Sequence, residues 1–175
     1  FPANTSPPAI LAEMLITTVS PQCMLWQTSP AATELEGRVM EWLRDMLGLP
    51  PDLTGVIQDT ASNATLCAIL SARERVTDHG INETGFLGKG VLTAYCSSET
   101  HSSIEKGVKI AGLGKENLRQ VPVDEAYAMD PVALEAAIEG DKAEGRLPTI
   151  VVATIGTTGS TAVDPLRAIG EVCTR

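Results

Sequence analysis

From about Val56 onward the chain alternates short apolar stretches with segments that carry helix-entry signals, and this alternation limits the fold more than any other feature. Val91 to Tyr95, Leu118 to Val123 and Thr149 to Ile155 read as strands, with Gly55-Val56-Ile57 a shorter apolar stretch ahead of them. Between them, Ala64 to Arg75 has helical propensity and periodicity. Ser102-Ser103-Ile104-Glu105 matches the Ser-x-x-Glu capping box. Asp130-Pro131 caps a helix carrying Val132, Leu134 and Ile138, and Asp164-Pro165 opens a last one with Leu166, Ile169, Val172 and Cys173. Strands joined by crossover helices run parallel, so the pattern predicts an α/β fold with a mainly parallel sheet covered by helices on both faces. Thr77 to Gly90 is polar and Gly-rich and reads as an exposed loop, with His79 solvated in it.

The first fifty residues follow a different rule. Asn4-Thr5-Ser6-Pro7-Pro8 and Ser29-Pro30 are helix entries with proline in the first turn. Ile10, Leu11, Met14 and Leu15 follow the first, and Leu35, Val39, Trp42, Leu43 and Met46 follow the second, before a stop at Gly48 and Pro50-Pro51. These apolar faces read as core, and Glu34, Glu36, Glu41 and Arg44 as a solvated face. The expected organisation is a helical segment over residues 1–50 and part of a sheet domain over 51–175.

Charge and motif content narrow the function. Acidic residues outnumber basic ones 22 to 13, a net charge of -9, which argues against nucleic acid and against an anionic membrane surface. No apolar run approaches the ~20 residues of a membrane span. The four cysteines are scattered without a CxxC pair, and two histidines without HExxH make no metal site, so no metal is expected. Free thiols suit a reducing cytoplasm. Gly88-Lys89-Gly90 is not a P-loop, and no GxGxxG or GxSxG occurs.

Three segments remain that could carry chemistry. Asp59-Thr60-Ala61-Ser62-Asn63 enters a helix, where free amides and the helix dipole accept a phosphate; Ala61 permits close approach and Ser62 adds a hydroxyl, although the same residues suit ordinary capping. His101 follows a strand, at the end where open parallel sheets bind ligands, and can stack on a flat ring or move a proton, or be a histidine satisfied by a hydrogen bond. Gly156-Thr157-Thr158-Gly159-Ser160 follows another strand; its hydroxyls can meet a cofactor or bond their own backbone.

The order of these blocks resembles the group II pyridoxal 5'-phosphate (PLP)-dependent decarboxylases, the family of aromatic-L-amino-acid, histidine and glutamate decarboxylases. It is carried by Phe1-Pro2, Pro8-Ala9 and Leu11-Ala12, by Trp26…Ser29-Pro30-Ala31…Thr33-Glu34-Leu35-Glu36, by Thr60 to Thr65, by His101-Ser102-Ser103 and by Gly156-Thr157-Thr158. The resemblance implies the large domain of a fold-type I PLP-dependent enzyme, and decarboxylation of an L-amino acid, aromatic by its nearest relatives, to the amine and CO2. It implies that Ala61 and Ser62 hold the cofactor phosphate, that His101 stacks on the pyridine ring as the catalytic histidine, and that Thr158 contacts the cofactor. It also implies that Pro2 and Ala3 border the substrate pocket, where a Thr is common in place of Ala3. The region from Met24 to Trp26 reaches a partner subunit's pocket in such enzymes, so a homodimer is expected. The family's cofactor-bearing Lys, preceded by His, and the Asp that pairs with the pyridine nitrogen have no counterpart among Lys89, Lys106, Lys109, Lys115 and Lys142 or their neighbours. They are expected beyond Arg175, so this polypeptide alone is expected to be inactive. Two other readings stay open on the residues: a non-catalytic phosphate-binding α/β module, and another fold-type I PLP enzyme.

Overall fold

The structure, a computed structural model, describes residues 5–175 and divides into two compact units, Phe1–Ile57 and Gln58–Arg175. Pro2 and Ala3 lie outside the described residues.

In the first unit, helices α1 (Pro7–Val19) and α2 (Pro30–Met46) begin with proline in the first turn, where a missing N–H costs no hydrogen bond. After α2, Gly48 turns the chain at φ 64° in the left-handed region. The stretch Gly55-Val56-Ile57 forms no strand. It is held by a side chain instead: the Ile57 amide donates to Glu36 Oε1 at 2.7 Å, and Arg44 donates to the Pro51 carbonyl at 3.0 Å. Glu36 and Arg44 are therefore tethers, not the solvated face their spacing suggested. No described side chain of this unit is buried, and the faces expected to be core are open: Met14, Leu35 and Trp42 are each more than half exposed.

The second unit holds a three-stranded, all-parallel sheet in the order β2-β1-β3, with β1 (Leu92–Ser97), β2 (Leu118–Val121) and β3 (Leu147–Val152). Helices α3 (Ala61–Val76), α4 (Gly80–Thr84), α5 (Ser103–Ile110), α6 (Pro131–Ala143) and α7 (Leu166–Thr174) complete it. All six residues of the central strand are buried, and the period-two rule sends them alternately to two cores. Leu92 and Ala94 pack with Ile69 of α3 and Val108 of α5. Tyr95 packs on the other face with Leu134 and Ile138 of α6 and Ile169 and Val172 of α7. Both faces are thus covered, as parallel sheets require.

Local signals set most helix starts. Asp130 Oδ1 accepts the Val132 and Ala133 amides, a true N-cap before Pro131. Two further expectations differ. Thr77 to Gly90 is not wholly loop: it contains α4, anchored by buried Ile81 and by Glu74, which accepts the Asn82 amide at 3.2 Å. The Ser102–Glu105 capping box does not form; Ser102 makes no cap hydrogen bond, and the side-chain acceptor at this helix entry is His101 Nδ1, which takes the Ser103 amide.

Beneath the second face lies a buried polar cluster. Arg119 and Arg146 reach Asp141 Oδ1 at 2.8 and 2.9 Å, and the Tyr95 hydroxyl donates to Oδ2 at 2.7 Å while pairing with Thr93 Oγ1 at 2.9 Å. Burial of Asp141 disfavours its charge, but the hydrogen bonds from Arg119, Tyr95 and Arg146 together prevail and hold its carboxyl well below the usual carboxylate range. Burial likewise pushes the Tyr95 hydroxyl far up, so it remains a donor.

Candidate functional site

Helix direction brings the three segments to one edge of the sheet. Gly107 of α5 packs on Thr65, Leu66 and Ile69 of α3, and further along both helices Arg73 donates to the Ala111 carbonyl at 2.9 Å. The two helices therefore advance together, with their N-termini at the same end. Residues 98–102 join the carboxyl end of β1 to the start of α5, so that end of the sheet also receives the Ala61-Ser62 turn. The Gly156–Ser160 turn leaves the carboxyl end of β3, which pairs in parallel with β1. This is the edge at which open α/β sheets bind ligands.

At the α3 entry, Thr60 is extended and its Oγ1 accepts the Asn63 amide at 3.2 Å, while its carbonyl accepts the Ala64 amide at 3.0 Å. The amides of Ala61 and Ser62 are left without an acceptor among the described residues, at the positive end of a 16-residue helix. Capping and anion binding are not exclusive here: Thr60 serves the first, and the two open donors and the exposed Ser62 hydroxyl remain for the second.

His101 is exposed, and its Nδ1 accepts the Ser103 amide at 3.2 Å and lies 3.0 Å from Ser103 Oγ. A backbone N–H can only donate, so Nδ1 is the acceptor and a neutral ring carries its proton on Nε2. Ser103, itself buried, thereby sets both orientation and tautomer. Its motif position was visible in the sequence, but this role was not.

The turn after β3 separates its two threonines. Thr157, 2 % exposed, is the clasp: its Oγ1 accepts the Ala162 amide at 3.0 Å and pairs with Ser160 Oγ at 2.7 Å. Its backbone amide and that of Gly156 share the Ala162 carbonyl, and Gly156 (φ 80°) turns the chain in the left-handed region. Thr158 is exposed, and its hydroxyl bonds nothing among the described residues. Cys96, under the same edge, is a buried thiol pushed up to about 11, chiefly by burial. Among the described residues no group of three or more His, Cys, Asp or Glu is placed to hold a metal ion, and no helix is long and apolar enough to cross a membrane.

The donors fit a phosphorylated aromatic ligand: two open amides and a hydroxyl for a phosphate, a flat imidazole of fixed orientation for a ring, and a free hydroxyl on the adjacent turn. The sequence profile of the pyridoxal-dependent decarboxylase conserved domain matches residues 1–175. The chain is 42% identical to a Bos taurus aromatic-L-amino-acid decarboxylase over 187 residues, covering 99% of this chain and 37% of that protein. Its structure superposes on Oryza sativa TDC with PLP and tryptamine at a TM-score of 0.91 and 35% identity, covering 100% of this chain and 37% of that one. Catharanthus roseus tryptophan decarboxylase in complex with L-tryptophan gives 0.90 and 38%, covering 99% and 38%. The chain thus spans little more than a third of the length of these relatives.

Proposed function

Because the chain belongs to the pyridoxal-dependent decarboxylase family, we propose that in the whole protein its three site segments bind PLP and serve the decarboxylation of an aromatic L-amino acid to the amine and CO2. The observation that carries this reading is the meeting of open amides at Ala61 and Ser62, the oriented imidazole of His101 and the free hydroxyl of Thr158 at one sheet edge.

PLP, when bound, supplies an electron sink for the electrons left as the carboxylate departs. The remaining tasks fall to side chains. The Ala61 and Ser62 amides take the phosphate, whose charge the helix terminus favours, and the methyl of Ala61 leaves room for it. His101 offers a flat face to the ring and a hydrogen-bond donor at Nε2, because Ser103 occupies Nδ1. Thr158 offers a hydroxyl to a cofactor oxygen. The same proposal includes a homodimer, a cytoplasmic location, a pocket bordered by Pro2 and Ala3, and a cofactor-bearing Lys beyond Arg175.

The test uses protein from the complete reading frame, loaded with PLP, reduced with borohydride and mapped by mass spectrometry. A single pyridoxyl-labelled Lys preceded by His, with CO2 and amine formed from aromatic amino acids, is the expected result. Scattered labelling of surface lysines such as Lys89 and Lys142 would favour a phosphate-binding module. Release of ammonia or a keto acid would favour another PLP chemistry.

A further inference from the structure

Asp164 is placed by its sequence at a helix entry, yet its carboxylate does not cap α7. Pro165 occupies the N-cap position, and no side chain caps that helix. The Asp164 side chain, in a residue only 1% exposed, reaches away from the helix. Its Oδ2 accepts the Thr154 amide at 2.7 Å, and its Oδ1 accepts the Met129 amide at 2.8 Å. The Asp164 amide returns a bond to the Thr154 carbonyl at 2.9 Å. No cation pairs with this carboxylate among the described residues, so backbone dipoles alone satisfy it. A lost cap would be met by water at an exposed helix end. A buried carboxylate binding one amide just past β3 and one before α6 instead fixes the path by which the chain leaves the sheet. That path leads within four residues to Thr158, and the Ile155–Val163 bridge closes the same loop from its other side.

We propose that Asp164 is a positioning residue: by holding the Thr154 and Met129 amides, its carboxylate sets the exit of β3 so that the Gly156–Ser160 turn presents Thr158 to the cofactor. This rests on the PLP reading above. Asp164→Asn keeps one acceptor but sets an amide NH2 against a backbone N–H, so the shape is retained while one tether reverses. If the lost tether is felt at the cofactor contact with the weight of one hydrogen bond, PLP affinity falls about tenfold. Linkage then requires PLP loading to lower the open population of the Thr154–Asp164 bond in the unsubstituted protein by a similar factor, about tenfold.

The experiment takes protein from the complete reading frame and measures PLP affinity by absorbance titration of the apoprotein for the unsubstituted form, Asp164→Asn, Thr158→Val and the double variant. The expected result is a roughly tenfold loss for Asp164→Asn that shrinks to less than about twofold in the Thr158→Val background, because both act on one contact. Equal losses of PLP affinity in both backgrounds, or no loss beside a lower melting temperature of the apoprotein, would overturn the proposal and leave Asp164 structural. Should Asp164→Asn not fold, hydrogen exchange of the Thr154 amide in the unsubstituted protein decides: slower exchange with PLP supports the role, and unchanged exchange overturns it. If the unsubstituted protein binds no PLP, the functional reading itself fails and this inference with it, a result distinct from additivity in a PLP-binding protein.

Discussion

Thr157 and Thr158 are neighbours of identical chemistry that the turn divides between two tasks. Replacing Thr157 by Val leaves the Ala162 amide buried without its acceptor, which costs about 1–3 kcal/mol and lowers the denaturation midpoint. Replacing Thr158 by Val removes a hydroxyl that bonds nothing among the described residues, so stability should change by no more than about 0.5 kcal/mol while, under the proposed function, PLP affinity falls. Urea titration of both variants beside PLP titration checks the split; equal stability losses would show that the turn is not divided this way. Cys96 gives a second residue-scale test. Its thiol, pushed up to about 11 mainly by burial, stays protonated at neutral pH, so iodoacetamide at pH 8 should spare it in the native protein and modify it after denaturation. The resemblance reads Gly-Thr-Thr as a cofactor turn, but which threonine faces outward depends on the Ala162 and Ser160 partners, and the motif itself does not announce them. Asp164 was hidden for a similar reason: Asp before Pro is a strong cap signal, and its true partners lie 10 and 35 residues away.

At the level of elements, strand and helix order could be read from periodicity because each core-facing set repeats at its own period, as β1 does by feeding two cores in alternation. The failures came where one side chain outcompetes a local pattern. Ser102 makes no cap, and the helix entry is instead held by the His101 ring nitrogen, which accepts the Ser103 amide. Gly55-Val56-Ile57 has the composition of a strand but no strand partner, and its amide goes to Glu36. The Arg119–Asp141–Arg146 cluster was equally invisible, since it joins β2, the end of α6 and the approach to β3. Asp141 is only 4% exposed, and Asp141→Ala strips Arg119 and Tyr95 of their shared acceptor, a loss of about 3 kcal/mol at pH 7. The sign of the pH dependence follows from the direction of the shift. Asp141 is held below its unfolded value, so its contribution is complete above the unfolded carboxyl range near ~4 and is lost as pH falls below it. Denaturant titrations at pH 7 and pH 3 should therefore show the gap between Asp141→Ala and the unsubstituted protein narrowing at the lower pH. A constant gap would mean that the cluster contributes through packing rather than charge.

Across the whole molecule, burial is uneven in a way that bears on assembly. The unit Gln58–Arg175 has two apolar cores, whereas no described side chain of Phe1–Ile57 is buried, although Leu11, Met14, Leu15, Met24, Trp26 and Met46 are large, apolar and at least half exposed. Helices rarely stand on propensity alone; the apolar face must find a cover. An apolar surface of this extent fits the proposed homodimer, in which the partner subunit would cover the Met24–Trp26 region. Trp26→Glu would then bury a charge in the proposed interface, shifting the protein from the complete reading frame toward monomer and lowering turnover, while an unsubstituted control stays dimeric. Light scattering coupled to size exclusion, with an amine-release assay on the same fractions, reads both quantities. A Trp26→Glu protein that remains a fully active dimer would remove this region from the interface. For the 175 residues alone the same proposal predicts a different outcome: with the cofactor-bearing Lys proposed to lie outside them, they should yield no amine from any aromatic amino acid in the presence of PLP, and any measured turnover would contradict the division of labour proposed for the whole protein.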